Sequence, residues 1–215
     1  MCMGLWKLCV MKLIMIVVVV FPVETRHCLV STFSKNSANP HYSPTKKSNR
    51  KLKNGNIIML DIWAKLNQKG APFADITWMA FRGKKIPQEI EKVFEIVINA
   101  RNAGIKKIKN NLRKKKIILG SEVDNAVRDF IHRNGYGEKF IHGTGHLLGF
   151  FSPHGNRNRL RPNSHSSLHK NVAYTIEPGI YLKGKFGIRS EIDFYITDNF
   201  KLVLTTDLQK EIIKL

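Results

Sequence analysis

Between Tyr174 and Glu191 the chain reads as two β-rich runs around a short segment with glycines at 184 and 187. That pattern predicts an antiparallel hairpin. With Gly184 at its centre, Glu177 and Glu191 lie seven residues to either side and face each other. Their even separation also puts them on one face of the ribbon. Directly opposed residues have Cβ atoms roughly 4.5–5.5 Å apart. Two carboxylates that close repel unless a proton or a metal sits between them. The plainer reading is a solvated hairpin with incidental acids.

A second stretch repeats the arrangement. Ile57–Trp63 is strand-like, Gln68–Lys69–Gly70 is a turn signal, and Phe73–Trp78 is a second apolar run. Its two acids, Asp61 and Asp75, are 14 apart, the interval that also separates Glu177 from Glu191. The expectation is a second opposed acid pair, with a register loosened by Pro72, which favours an edge or a bulge. Acids are scarce here: 16 Asp and Glu against 36 Lys and Arg, a net charge of +20. Two matched acid pairs in apolar strands of such a chain read as ligands rather than decoration.

The positive charge favours polyanions or anionic surfaces, although abundant Lys, Asn and Ile also fit a drift in composition. At 215 residues the chain can hold one domain with a core. Cys2, Cys9 and Cys28 are its only thiols, with no CxxC. They suggest no disulfide framework and exclude thiolate zinc sites from the rest of the chain.

Leu13–Val23 is the most apolar run, 11 residues long and preceded by Lys7 and Lys12. It is too short to cross a bilayer core of about 30 Å as a helix. A signal or anchor, a core strand and a foreign leader all stay open, so residues 1–30 are set apart as an apolar leader from a domain over 31–215. Ser31–Lys53 reads as a loop containing His41. Pro87 opens a helix with an apolar stripe from Ile90 to Ile105. The basic run Lys106–Lys116 suits the helix dipole and is preferred as that over a nucleic-acid surface. Ser121 is expected to cap a second helix that ends at Gly135. In His142–Gly143–Thr144–Gly145–His146 the glycines weaken any helix, and a strand or tight loop lets both histidines face one way. Leu208–Leu215 looks like a short helix.

Four carboxylates and an imidazole form a hard, oxygen-rich site suited to Mn²⁺, Co²⁺, Fe²⁺ or Zn²⁺. Four carboxylates balance two divalent cations, and the chemistry implied is metal-assisted hydrolysis.

In this order, Leu60–Asp61, Ala74–Asp75–Ile76–Thr77, His142–Gly143–Thr144–Gly145–His146, Thr175–Ile176–Glu177–Pro178–Gly179–Ile180–Tyr181 and Arg189–Ser190–Glu191 resemble the motifs of the pita-bread metallopeptidase family. Its members include aminopeptidase P, prolidase and methionine aminopeptidase, with creatinase as a non-peptidase relative. The proline-directed branch is the closer match, also in having a histidine, His41, before the first aspartate. The resemblance runs from about residue 30 to the end of the chain. It implies an α+β pita-bread fold, a pseudo-repeated antiparallel sheet backed by helices, here incomplete at the N-terminus.

The resemblance further implies that Asp61, Asp75, His146, Glu177 and Glu191 hold two divalent metal ions, Mn²⁺ first and Co²⁺, Zn²⁺ or Fe²⁺ as alternatives, with Asp75 and Glu191 bridging. Glu177 would also relay protons. His142 and His154 would line the substrate side and steady the carbonyl oxygen, His41 would sit near the proline end, and Arg189 would brace the ligands. The implied substrate is a peptide with proline at its second position. The aspartates are further apart than in many members, and the step from His146 to His154 is one residue longer than usual. A homodimer stays open, and a cytoplasmic location is expected unless the apolar N-terminus takes the chain to a membrane. The competing readings are a non-catalytic relative that binds protein or nucleic acid, and an inactive truncated copy.

Overall fold

The computed structural model describes residues 27–42, 45–46, 48, 51–155 and 159–215. The apolar run Leu13–Val23 lies outside them, as do Cys2 and Cys9. In chain order the elements are β1 (His27–Phe33), a 3₁₀ turn (Ser34–Ala38), β2 (Ile57–Ala64), β3 (Ala74–Phe81), α1 (Gln88–Arg113), α2 (Gly120–Arg133), a second 3₁₀ turn (Gly137–Lys139), β4 (Ala173–Ile176), β5 (Gly179–Leu182), β6 (Phe186–Arg189), β7 (Ile192–Ile196), β8 (Leu202–Leu204) and β9 (Ile213–Lys214). This is the α+β pita-bread architecture expected from the motifs. Strand β1 begins at His27, inside the stretch set apart as a leader, and pairs with β2 from His27 opposite Ala64 to Phe33 opposite Ile58. The stretch read as a loop after Ser31 therefore starts as the end of a strand and a 3₁₀ turn. Ser37 in that turn is buried, and its hydroxyl accepts the Gly187 N–H at 2.9 Å, docking the segment before His41 onto β6.

The strands form ladders in the orders β1–β2–β3–β9, β4–β7–β8 and β5–β6. The β4–β7 and β5–β6 ladders share one register: Ile176 faces Ile192 and Gly179 faces Arg189. Glu177 and Glu191 occupy matched positions in the interruption between them, as the centre at Gly184 predicts. The first hairpin differs from expectation. Asp61 faces Thr77 and Trp63 faces Asp75, so the aspartates are diagonal neighbours on one face, not an opposed pair. The turn is displaced: Ala71 N–H closes onto the Gln68 carbonyl, and Gly70 takes φ +78°, a left-handed conformation that favours glycine. Moving a hairpin's centre by one residue moves each pairing by two, which preserves the face and alters the partner.

Strands β2 and β3 carry odd-numbered side chains from the core, at Ile57, Met79 and Phe81, to polar positions at Asp61, Asp75 and Thr77. The two halves meet along β3, where Glu191 N–H donates to the Thr77 carbonyl at 3.3 Å and Asp75 N–H to Asp193 Oδ2 at 2.9 Å. Helix α1 spans both halves. Its residues Ile90, Val93, Phe94, Val97 and Ala100 pack in one apolar cluster with Met79, Ile180 and Ile188. Ile105, Ile108 and Leu112 pack in a second with Tyr174, Ile192 and Phe194. Arg101 is buried at the changeover and donates to Ser190 Oγ at 2.7 Å and to the Gln209 carbonyl at 3.0 Å.

Helix α2 starts one residue before the expected cap: Leu119 takes the cap position, and its N–H donates to Glu122 Oε2 at 3.1 Å. The C-terminal stretch expected as a helix is extended instead. Buried Gln209 acts as a surrogate strand partner, accepting the Met79 N–H at 2.8 Å and donating to the Met79 carbonyl at 2.6 Å. Residues Ile213–Lys214 then run parallel to the end of β3. Eight residues make a marginal helix in water, and pairing to β3 satisfies their backbone better. No helix among the described residues is long and apolar enough to cross a membrane.

Candidate metal centre and substrate cleft

His41, Asp61, Asp75, His142, His146, His154, Glu177, Arg189 and Glu191, the nine residues singled out from the sequence, all line one cleft of about 610 Å³. They arrive from several parts of the fold. Asp61 and Asp75 come from β2 and β3, Glu177 and Glu191 from the interrupted hairpin, and Arg189 from the end of β6. His146 sits where the glycine-interrupted segment runs beside β4: the Thr175 N–H donates to the His146 carbonyl at 2.9 Å, and the His146 N–H donates to Thr175 Oγ1 at 3.1 Å. Gly145 makes this contact possible. A Cβ there would stand 2.8 Å from the Thr175 carbonyl carbon and 3.0 Å from its Oγ1, with the carbonyl oxygen nearer still.

Asp75, His146 and Glu191 form the tightest group, with one ligating atom from each lying within 4.8 Å of the others. Glu177 Oε1 is 3.5 Å from His146 Nε2, and Asp75 Oδ2 is 3.8 Å from it. Asp61 is held differently, in an ion pair with Arg189. Thr77 lies at the hub: its Oγ1 accepts from Arg189 Nε at 2.9 Å and sits 2.7 Å from Glu191 Oε2 and 3.2 Å from Asp61 Oδ1. A hydroxyl has one proton to give, and the shorter contact assigns it to Glu191.

The electrostatics follow from crowding acids in a dry place. Burial, then the charge of Glu191, raises the Asp75 carboxyl well above the usual range. Burial, then Glu177, does the same to Glu191. Burial pushes Glu177 up to about 8 against the pull of Arg189. Asp193, which accepts the Asp75 N–H, is also pushed up to about 8 by burial. Burial and then His154 lower His146 to about 4, keeping it neutral. Its Nδ1 is 3.1 Å from the Leu147 carbonyl, which can only accept. The proton is therefore on Nδ1, and Nε2 presents a lone pair to the acids, the tautomer of a metal-ligating imidazole. Asp75 Oδ1 is buried without a hydrogen-bond partner among the described residues. Clustered buried carboxylates, an orphaned oxygen and an aimed imidazole fit a hard divalent cation.

Three further histidines line the cleft beside this group. Burial, then Arg189, lowers His142 to about 4. Its Nδ1 donates to the Gly143 carbonyl at 2.8 Å, and its Nε2 accepts from the Tyr181 hydroxyl at 2.8 Å. His154 packs edge-on to His146 with ring centroids 4.2 Å apart, and the Leu148–His154 bridge brings it there across the extra residue in that interval. His41 is an exposed wall residue of the cleft. Arg159 and Arg161 also line it and were not singled out from the sequence, where they sit in a polar loop. Thr77 and Tyr181 lie inside the quoted motifs, yet only the register shows what they hold.

The profile of metallopeptidase family M24 matches residues 24–198. An uncharacterized peptidase of Schizosaccharomyces pombe is 33% identical over 175 residues, covering 80% of this chain and 36% of its own. Among solved structures, a prolidase from Thermococcus sibiricus superposes with a TM-score of 0.74 at 34% identity, over 87% of this chain and 47% of that one. An X-Pro aminopeptidase from Thermotoga maritima gives a TM-score of 0.74 at 31% identity, over 87% and 49%. The chain spans less than half the length of the curated relatives it matches.

Proposed function

Because the chain belongs to metallopeptidase family M24, we propose that it is a metal-dependent peptidase that hydrolyses the bond between an N-terminal residue and a following proline. The observation that carries this reading is the buried Asp75–His146–Glu191 group with Glu177 3.5 Å from His146, at the base of a cleft walled by three further histidines. Asp61, Asp75, His146, Glu177 and Glu191 are the residues to hold two divalent cations, manganese first. When bound, such ions supply Lewis acidity at the carbonyl and a more acidic water.

The chain's own groups do the rest. Glu177, beside His146, is placed for both halves of a proton transfer. Glu177 takes the proton of the attacking water and gives it to the proline nitrogen as the carbon–nitrogen bond breaks, since that amine leaves poorly as an anion. A prolyl amide has no N–H, so the site must hold carbonyl and ring. His142, fixed by Tyr181, and His154 face the carbonyl side, and His41 faces the ring. Arg189 keeps Asp61 at the cleft. Arg159 and Arg161 offer guanidinium groups to a free carboxylate, which favours short peptides.

The test is hydrolysis of an Xaa-Pro dipeptide, its C-terminal amide, a longer Xaa-Pro peptide and a Met-Ala peptide by protein loaded with Mn²⁺ or Co²⁺. Cleavage confined to the Xaa-Pro series supports the reading. A second reading, a non-catalytic binder, draws on the net charge of +20 and the ion pair that occupies Asp61. No cleavage by metal-loaded protein, with salt-sensitive binding to RNA or DNA, would select it.

A further inference from the structure

We propose that Asp124 and Arg128 of α2 are positioning residues for the cleft, a charged clasp that fixes His142 and, through Thr144, Glu177. The kinetic consequence rests on the peptidase reading; the geometry does not.

Asp124 is fully buried, on a helix whose other buried positions include Val123, Val127 and Ile131. Its Oδ1 accepts the Thr144 N–H at 3.0 Å and the Thr144 hydroxyl at 2.9 Å. Its Oδ2 accepts from Arg128 Nε at 2.9 Å, and Arg128 Nη2 lies 3.2 Å from Oδ1. Arg128 gives its remaining donors to the carbonyls of Phe140, at 3.0 Å, and His142, at 2.8 Å, while its guanidinium lies 4.4 Å from the centre of the Phe140 ring. One turn of α2 therefore grips Phe140, His142 and Thr144, a stretch with no strand of its own. The Thr144 carbonyl in turn accepts the Glu177 N–H at 2.7 Å. The clasp is thus bonded directly to the backbone that carries the His142 ring, and one residue away from the backbone of Glu177.

An exposed i,i+4 pair on a helix contributes little to stability. This pair differs in that one partner is fully buried and each directs half of its hydrogen bonds at the neighbouring segment. A lysine in place of Arg128 keeps the charge and loses the planar fork that reaches two carbonyls and a carboxylate together.

The experiment uses the full chain with Arg128→Lys, Asp124→Asn and, as a control for loss of an exposed ion pair, Lys185→Met, which removes the 2.7 Å contact with Glu89. Imidazole nitrogen–proton NMR of metal-free protein reads the setting of the His142 ring, with His169 as internal reference. Thermal melting reads folding, and kcat and KM on an Xaa-Pro peptide read the consequence. Both clasp variants are expected to fold, to shift or broaden the His142 signals and leave those of His169, and to lose kcat by up to the order of 10²-fold at nearly constant KM, as for a misplacement of about 1 Å. Lys185→Met should leave all three readouts near wild type. Lower melting temperatures with His142 signals and kcat unchanged would overturn the proposal, as would failure of both variants to fold. If wild-type protein cleaves no peptide, the peptidase reading fails, and the His142 signals alone decide the clasp.

Discussion

Gly145→Ala is the sharpest test of how the centre is assembled. The added methyl would lie 2.8 Å from the Thr175 carbonyl carbon, against ordinary contacts of 3.4–4 Å, and the carbonyl oxygen is nearer still. Both neighbours are backbone, so no side chain can swing away. The histidine segment and β4 have to part by roughly 1 Å to restore normal contact. Three hydrogen bonds cross that seam within two residues of Gly145: Thr175 N–H to the His146 carbonyl at 2.9 Å, His146 N–H to Thr175 Oγ1 at 3.1 Å, and Glu177 N–H to the Thr144 carbonyl at 2.7 Å. At about 1 kcal/mol for each weakened bond the loss is about 3 kcal/mol. For a chain of this size that lowers the melting temperature by roughly 6–12 °C. The same parting moves His146 against Glu177, now 3.5 Å apart, so divalent-metal affinity should fall at least about tenfold. Calorimetric melting and metal titration of the purified variant measure both. A variant that melts and binds metal like the wild type would show that this seam does not set the position of His146.

Asp75→Asn and Glu191→Gln should each lose bound metal by elemental analysis, and a wild-type stoichiometry in either would exclude that residue as a ligand. Chelator treatment of metal-loaded wild type should lower its melting temperature, by an amount equivalent to about 2.7 kcal/mol for a cation present at 100 times its dissociation constant. Metal must displace protons from carboxyls that burial has raised, Glu177 to about 8, so affinity should weaken from about pH 8 to pH 6, by up to about tenfold per unit for each proton displaced; a flat titration would contradict this. Glu177→Gln should lose kcat far more than it changes KM, and a loss confined to KM would remove it from proton transfer. Gln209→Ala leaves the Met79 N–H and carbonyl without their buried partner and should destabilise the fold by about 3 kcal/mol in denaturant melts; a stability within 0.5 kcal/mol of wild type, the range of ordinary surface changes, would mean that the C-terminal strap is dispensable.

The sequence carries the second hairpin well, because a centre at Gly184 with equal arms leaves one register that puts both glutamates together. The first hairpin is less legible: its longer connection lets the turn form around Gly70, and a spacing of 14 positions from Asp61 to Asp75 then specifies a face and not a partner. The helices show in their apolar spacing. The C-terminal strap does not, since what extends it is a bond from Gln209 to Met79, 130 residues away. Asp124 and Arg128 are hidden for a related reason. In sequence they are an ordinary helical ion pair, and only the return of Phe140–Thr144 past α2 turns them inward.

Helix α1 is shared by both apolar clusters, and with 26 residues at about 1.5 Å each it is roughly 39 Å long. It works as a spine to which both walls of the cleft are bound. A hinge between the halves would have to bend this rod at Ala100–Ile105, where Arg101 is bonded to both Ser190 and the strap and where a Cβ on Gly104 would come within 2.9 Å of Val127. Opening by swinging the halves apart is therefore costly, and entry to the cleft falls to its rim, the segments around His41 and His154. Amides in the middle of α1 should then exchange with solvent only when the whole domain unfolds, while amides on the rim exchange through small local openings.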